Sequence, residues 1–352
     1  MPGGPLTVGS RPGARGARRR GKALWVLACA VTLGCGESAL STSQADQAIM
    51  SGVESGANMD GVIQIEGRHP THPSLCTGTL IAPNLIVTAL HCVAELDERD
   101  GFACDIRGHL DNSIGSGGYL GAAFDPSIVR VYSGAVPDTE PAAEVVEILA
   151  PFTENICQND IALLLLDRAL ALPFLPVRLD SPTHVGEMMT VVGYGMNELD
   201  LLARRERSGN AVIAVGPSEV NPNHSGSAPR TFMLGAGACK GDSGGPALSD
   251  ETSAAVGVFS IIGDACGSAS ALTTYTQIAP YQELVRAAFE QAGYEPLLED
   301  VPDDPDSARS SAGCQFAASR STGEPLGWAS AAALMLLLRR QRWSRGVPAS
   351  NT

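Results

Sequence analysis

The chain reads as an all-β protein, mostly antiparallel, closed by one C-terminal helix. Three observations point there. Its apolar runs are short, rich in β-branched residues and bounded by Gly, Pro, Asn or Asp. Its 39 glycines and 23 prolines suit many turns rather than long helices. Between two ends that read as addresses lie about 250 residues, room for one large domain or two fused barrels with a sizeable core.

In chain order the runs are "GVIQI" from Gly61, "GTLIAPNLIVTAL" from Gly78, "IALLLL" from Ile161, "MMTVVGYG" from Met188, "AVIAVG" from Ala211 and "AAVGVFSII" from Ala254. Each apolar core is of strand length and flanked by turn residues. "PYQELVRAAFEQAG" is the clear helix: Pro280 opens it, Leu284, Phe289 and Ala292 mark an apolar face, and Gly293 ends it.

Residues 1–35 read as an export signal, with an arginine-rich stretch ending at Lys22 and the apolar run "ALWVLACAVTL". A run of eleven residues, apolar but for Thr32, is too short to span a bilayer and fits a signal core. The run ends at Cys35 in "TLGC", which resembles a lipoprotein processing box with lipid on Cys35. A plain secretory signal cleaved nearby fits as well, and both readings stay open. Residues 36–48 read as a propeptide and residues 49–293 as the folded domain. Residues 294–313 are acidic and Pro-rich and read as a disordered linker. Residues 314–352 carry Cys314, a polar spacer, a short apolar run and an arginine cluster, a sorting or anchor segment.

The formal charge is −14, and about −20 without the basic leader. So acidic a chain repels nucleic acid and anionic membrane surfaces. After Lys22 the only lysine is Lys240. Of nine cysteines, six lie in the central region: Cys76, Cys92, Cys104, Cys157, Cys239 and Cys266. An even number in an exported chain reads as three disulfides. No Cys-x-x-Cys or His-Glu-x-x-His spacing indicates zinc.

"GACKGDSGGPAL", Gly237 to Leu248, packs glycines around Ser243. That pattern suits an exposed nucleophile beside bare backbone N–H groups, and it equally suits a tight turn. A nucleophilic serine needs a base and an orienting acid. His91 closes an apolar strand in "TALHC", and Asp160 opens the most apolar one in "NDIALL". With "GDSGGP", "VVGYG" and "CTGTLI", this His-Asp-Ser order resembles the trypsin/chymotrypsin-like serine peptidases from about Ile49 to Gly293.

The resemblance implies two packed six-stranded antiparallel β-barrels with a C-terminal helix. It implies a peptide-cleaving monomer with protein or peptide substrates and no metal or organic cofactor. Ser243 is then the nucleophile, His91 the base and Asp160 its orienting acid. The N–H groups of Gly241 and Ser243 form the oxyanion hole, and Ser260 supports the acid and lines the substrate strand. It implies Cys76–Cys92 and Cys239–Cys266 disulfides, which leaves Cys104 and Cys157 for the third. Gly237 and Ala238 fall at the base of the specificity pocket, with Ile262 and Thr273 on its walls. Without a carboxylate at Gly237 a buried Lys or Arg side chain would be unpaired, so the expected preference is for small apolar residues. "AIMSGVES" resembles the family's activation start: cleavage at Ala48–Ile49 would free Ile49 to pair with Asp242. The tail resembles myxobacterial C-terminal sorting tails, which implies retention at the cell surface through Cys314. The alternative is a catalytically silent binding protein on the same fold; an esterase is disfavoured by the β pattern and residue order.

Overall fold

Strands buried on both faces lose the usual apolar–polar alternation, and this accounts for "IALLLL". In the computed structural model Ala162, Leu164 and Leu166 point into one apolar cluster, while Ile161 and Leu163 point into another. The structure describes residues 49, 52–99, 101–113, 115–195, 203–221, 225–235, 237–263 and 271–300. The export signal, the propeptide, Cys35, Cys266, Cys314, residues 301–313 of the linker and the tail lie outside them.

The first half supplies β1 (Val53–Glu54), β2 (Val62–Gly67), β3 (Ser74–Ala82), β4 (Leu85–Thr88), β5 (Ala94–Leu96), β6 (Leu120–Ala123), β7 (Val129–Tyr132), β8 (Ala143–Leu149) and β9 (Ala162–Leu166). Six of them close a barrel in the order β2-β3-β4-β9-β8-β7, and β5 and β6 pair beside it. The second half supplies β10 (Met188–Gly193), β11 (Arg205–Val215), β12 (Ser218–Asn221), β13 (Ser225–Ser227), β14 (Thr231–Leu234), β15 (Pro246–Ser249), β16 (Ala255–Ile262) and β17 (Thr273–Gln277). Here the order β11-β10-β15-β16-β17-β14 closes through β14–β11 pairing, with β1 added at β11. The fold is therefore two six-stranded antiparallel barrels.

The first barrel is filled by Ile63, Ile65, Leu80, Ile86, Val131 and Leu164, and the second by Met189, Val191, Phe232, Phe259 and Tyr275. The interface between them buries Val62, Leu85, Val87, Leu163, Tyr194 and Val258. Tyr194 crosses it, its single hydroxyl proton shared between the carbonyls of Gly134 (2.6 Å) and Val62 (3.0 Å). Burial pushes that phenol up to about 12.

Helix α1 (Gln282–Ala292) buries Val285, Ala288, Phe289 and Ala292, one stripe at helical spacing. Gly293 takes φ 79° and closes it as a left-handed cap. Residues 294–300 depart from the disordered linker their composition suggests. Leu298 bridges Val177, and Glu299 pairs with Arg178, whose guanidinium also meets Glu187 at 2.6 Å. The side chains of Arg178, Glu187 and Glu299 are each less than a tenth exposed. A two-sided ion pair and a bridged backbone outweigh the local acidity.

A second buried arginine holds the segment after Ile49. Arg204 donates to Ser55 Oγ (2.6 Å), Asp60 Oδ1 (2.6 Å) and the carbonyls of Gly56 and Val62. A buried guanidinium needs most of its five donors satisfied, and this set comes from the connection after β1 and the first residue of β2.

Candidate active site

A 3₁₀ turn, Leu90–Cys92, follows β4 and carries His91. The Cys76–Cys92 disulfide pins the turn to β3. Asp160 stands just before β9, fully buried. Its Oδ2 accepts from His91 Nδ1 at 2.7 Å and from Ser260 Oγ at 2.5 Å, and its Oδ1 accepts from the His91 backbone N–H at 2.9 Å. Burial disfavours the imidazolium, but the charge and hydrogen bond of Asp160, with Glu98 adding to them, hold the His91 pKa above its ordinary value. The first barrel supplies His91 and Asp160; Ser260, on β16, belongs to the second.

Ser243 sits in the turn between β14 and β15. The glycines around it answer to sterics: Gly244 takes φ 78°, and a side chain there would overlap Thr88 Oγ1 and the Thr77 carbonyl. Thr77, on β3, ties this turn to the other barrel. Its N–H donates to Ser243 O (2.7 Å), and its Oγ1 donates to Gly241 O (2.9 Å) and accepts from the Tyr194 N–H (3.0 Å). Among the described residues, the N–H groups of Gly241 and Ser243 donate to no protein acceptor.

A cleft of ≈ 640 Å³ brings His91, Gly241 and Ser243 together, lined also by His72, Leu75, Cys76, Leu96 and Lys240. The residues expected to shape the specificity pocket do not line it. Ala238 and Thr273 are buried, Thr273 Oγ1 donating to Gly235 O, and Ile262 is half-buried on β16. Arg207 Nη1 lies 3.6 Å, and Asn210 Oδ1 3.7 Å, from where a Gly237 side chain would begin.

Asp242 is buried, its Oδ1 and Oδ2 accepting from the N–H groups of Gly195 (2.7 Å) and Cys239 (2.8 Å). Burial outweighs those two bonds and pushes its carboxyl up to about 7. Ile49 is also buried, in the same apolar cluster as Val191 and Ala238.

Two disulfides, Cys76–Cys92 and Cys104–Cys157, are described, and Cys239 is disulfide-bonded. The second ties the loop after β5 to the segment before Asp160. The roles of Thr77 and of the cleft beyond Ser243 were not foreseen from sequence. The polar threonine after Cys76 in "CTGTLI" was the one signal for the first.

The trypsin family model matches residues 53–285. The chain is 28% identical over 229 residues to phenoloxidase-activating factor 1 of Holotrichia diomphalia, a stretch covering 60% of this chain and 60% of that protein. The chain thus spans less than two thirds of that relative's length. A solved scabies mite inactivated protease paralogue aligns with a TM-score of 0.47 and 16% identity, over 68% of this chain and 99% of that one. No helix among the described residues is long and apolar enough to cross a membrane. On the family match, over two β-barrels with His91, Asp160 and Ser243 at their junction, the chain belongs to the trypsin family.

Proposed function

We propose that the chain is an exported serine endopeptidase. The observation that carries this is a single cleft holding Ser243, two backbone N–H groups without protein acceptors among the described residues, and a histidine oriented by a buried aspartate. Ser243 Oγ attacks the peptide carbonyl as His91 takes its proton, and the tetrahedral oxyanion is held by the N–H groups of Gly241 and Ser243. His91 gives the proton to the departing amine, leaving an acyl-enzyme. Water, deprotonated by His91, then releases the acyl group. Asp160 keeps Nδ1 protonated and stabilises the imidazolium.

The test is labelling by a serine-directed fluorophosphonate. The full chain is labelled, Ser243→Ala is not, and extended peptide substrates are cleaved at internal amide bonds, which a dedicated esterase leaves intact. A correctly folded, processed chain that resists the label is a silent binding protein instead.

Specificity is for small apolar residues before the scissile bond. Gly237 offers no carboxylate, and the Arg207 guanidinium lies nearby, so a cationic side chain would meet no partner there. A cleavage profile dominated by Lys, Arg, Phe or acidic residues overturns this.

Activation is by cleavage at Ala48–Ile49. Asp242 is a buried carboxylate with no cationic side chain bonded to it among the described residues, and a new Ile49 ammonium would compensate it. The specificity proposed above permits self-cleavage there, and trimming of a Ser243→Ala chain to Ile49 in isolation excludes self-cleavage as the requirement. Retention at the cell surface runs through Cys314. A Cys314→Ser chain that stays cell-associated with unchanged tail trimming removes that role.

A further inference from the structure

The loop between β2 and β3 carries His69 and His72, three apart and each followed by a proline, Pro70 and Pro73. Thr71 Oγ1 lies 3.3 Å from His69 Nδ1 and 2.9 Å from His72 Nδ1, and the two ring nitrogens are 3.4 Å apart. A hydroxyl has one proton to give. With both imidazoles neutral, one of these close approaches sets lone pair against lone pair unless a ring carries its proton inward. On the other side of His69, its Nε2 is 3.6 Å from Glu95 Oε1. One ligand atom from each of His69, His72 and Glu95 lies within 4.8 Å of the others.

The neighbours hold these groups in place. Phe124 stacks on the His69 ring at 5.0 Å and 5°. Glu95 is carried on β5, and its carboxylate lies over Gly121 of β6, where any side chain would meet Glu95 Oε2. We propose that His69, His72 and Glu95 form a binding site for a zinc-class divalent cation at the end of the cleft that holds Ser243.

Two imidazoles and one carboxylate suit a borderline cation rather than calcium or magnesium, which favour all-oxygen sets. Zinc bonds of about 2.0–2.1 Å put tetrahedral ligands about 3.3 Å apart, so the side chains need close by no more than about 1.5 Å. The fourth position is left to water. The other histidine and cysteine grouping, Cys76, His91 and Cys92, offers no thiolate, because both cysteines are in the disulfide.

His72 also lines the cleft with His91 and Ser243. Gly237, Ala238, Ile262 and Thr273 do not line that cleft; on the proposed function it takes the departing half of a substrate. A cation on His72 narrows the cleft and slows turnover. This consequence rests on Ser243 being the nucleophile; the site itself does not.

The test uses the full chain carrying Ser243→Ala, which cannot digest itself, with Zn²⁺ by equilibrium dialysis and Co²⁺ by visible absorption. One saturable equivalent with a tetrahedral cobalt spectrum is expected. His72→Ala and Glu95→Gln each weaken uptake at least about tenfold, and His109→Ala and His184→Ala leave it unchanged. His69→Gln serves in place of any ligand variant whose circular dichroism shows misfolding. No saturable uptake, uptake surviving both ligand changes, or uptake lost only with His91→Ala overturns the site. In the active chain Zn²⁺ lowers turnover of the parent and spares Glu95→Gln. Turnover indifferent to zinc, in a chain shown to bind it, overturns the regulatory consequence.

Discussion

Ser260→Ala removes one oxygen atom, yet it takes away one of the three donors to a fully buried carboxylate. The bond is short, 2.5 Å, and the acceptor is charged. Hydrogen bonds to charged groups contribute about 1.5–3 kcal/mol, against about 1 for neutral pairs. The space vacated holds no more than one small atom, so a cavity adds little. The expected loss is about 2 kcal/mol, or about 4–8 °C in melting temperature for a domain of this size. Urea unfolding of the Ser243→Ala chain, with and without the change, gives the single-variant value. A double-mutant cycle with Asp160→Ala isolates the pair, and its coupling energy should be about 1.5–3 kcal/mol. A coupling below about 0.5 kcal/mol would mean that Ser260 merely fills space beside Asp160, and the reasoning fails.

The acid limb of the kcat/KM profile should have its midpoint above about 6.5, because Asp160 and Glu98 raise the His91 pKa over the opposing effect of burial. Glu98→Gln should move that midpoint down, and a limb that stays put removes Glu98 from the account. By the same raised pKa, the contribution of His91 to stability is present below about pH 6.5 and is lost as pH rises through its folded value; it should appear as a lower unfolding midpoint on that alkaline side, absent in His91→Gln. Gly244→Ala adds a side chain at φ 78° against Thr88 and Thr77, and should cost more than about 3 kcal/mol or abolish soluble protein. A normal melting curve for that variant contradicts the described turn. Glu299→Ala leaves Arg178 with Glu187 alone and should lower stability by about 2 kcal/mol at neutral pH. The Glu299 pKa is lowered, its bonds to Arg178 and Thr252 outweighing burial, so the parent loses this contribution as pH falls below about 4.5, where the two chains should converge.

The grouping of His91, Asp160 and Ser243 was legible because short motifs carry it. His91, Asp160 and Ser243 each sit in a stretch whose neighbours are dictated by local sterics, such as the Gly244 turn and the doubly buried strand after Asp160. The helix was legible for the same reason, having its cap at Gly293 and its apolar stripe within fourteen residues. What stayed hidden is non-local. Arg178 and Arg204 look like surface residues in the chain, and their burial follows only from partners up to 121 and 149 positions away. The docking of residues 294–300 had one weak signal, the Leu297–Leu298 pair in an otherwise acidic stretch. The grouping of His69, His72 and Glu95 depends on β5 running beside the β2–β3 loop, a pairing that periodicity does not reveal.

Asp160 and Ser260 belong to different barrels, and so do Thr77 and the turn that bears Ser243. On the proposed function, neither half of the chain is chemically competent by itself. During synthesis the first barrel emerges with a histidine and an aspartate but nothing to activate. The second brings a serine with no base until the two surfaces meet. On the proposed function the assembly step acts as a lock on timing: a chain trapped half-folded is harmless to its neighbours. Damage that loosens the seam between the barrels should silence the molecule before it unfolds, so that an ageing enzyme fails inactive rather than indiscriminate.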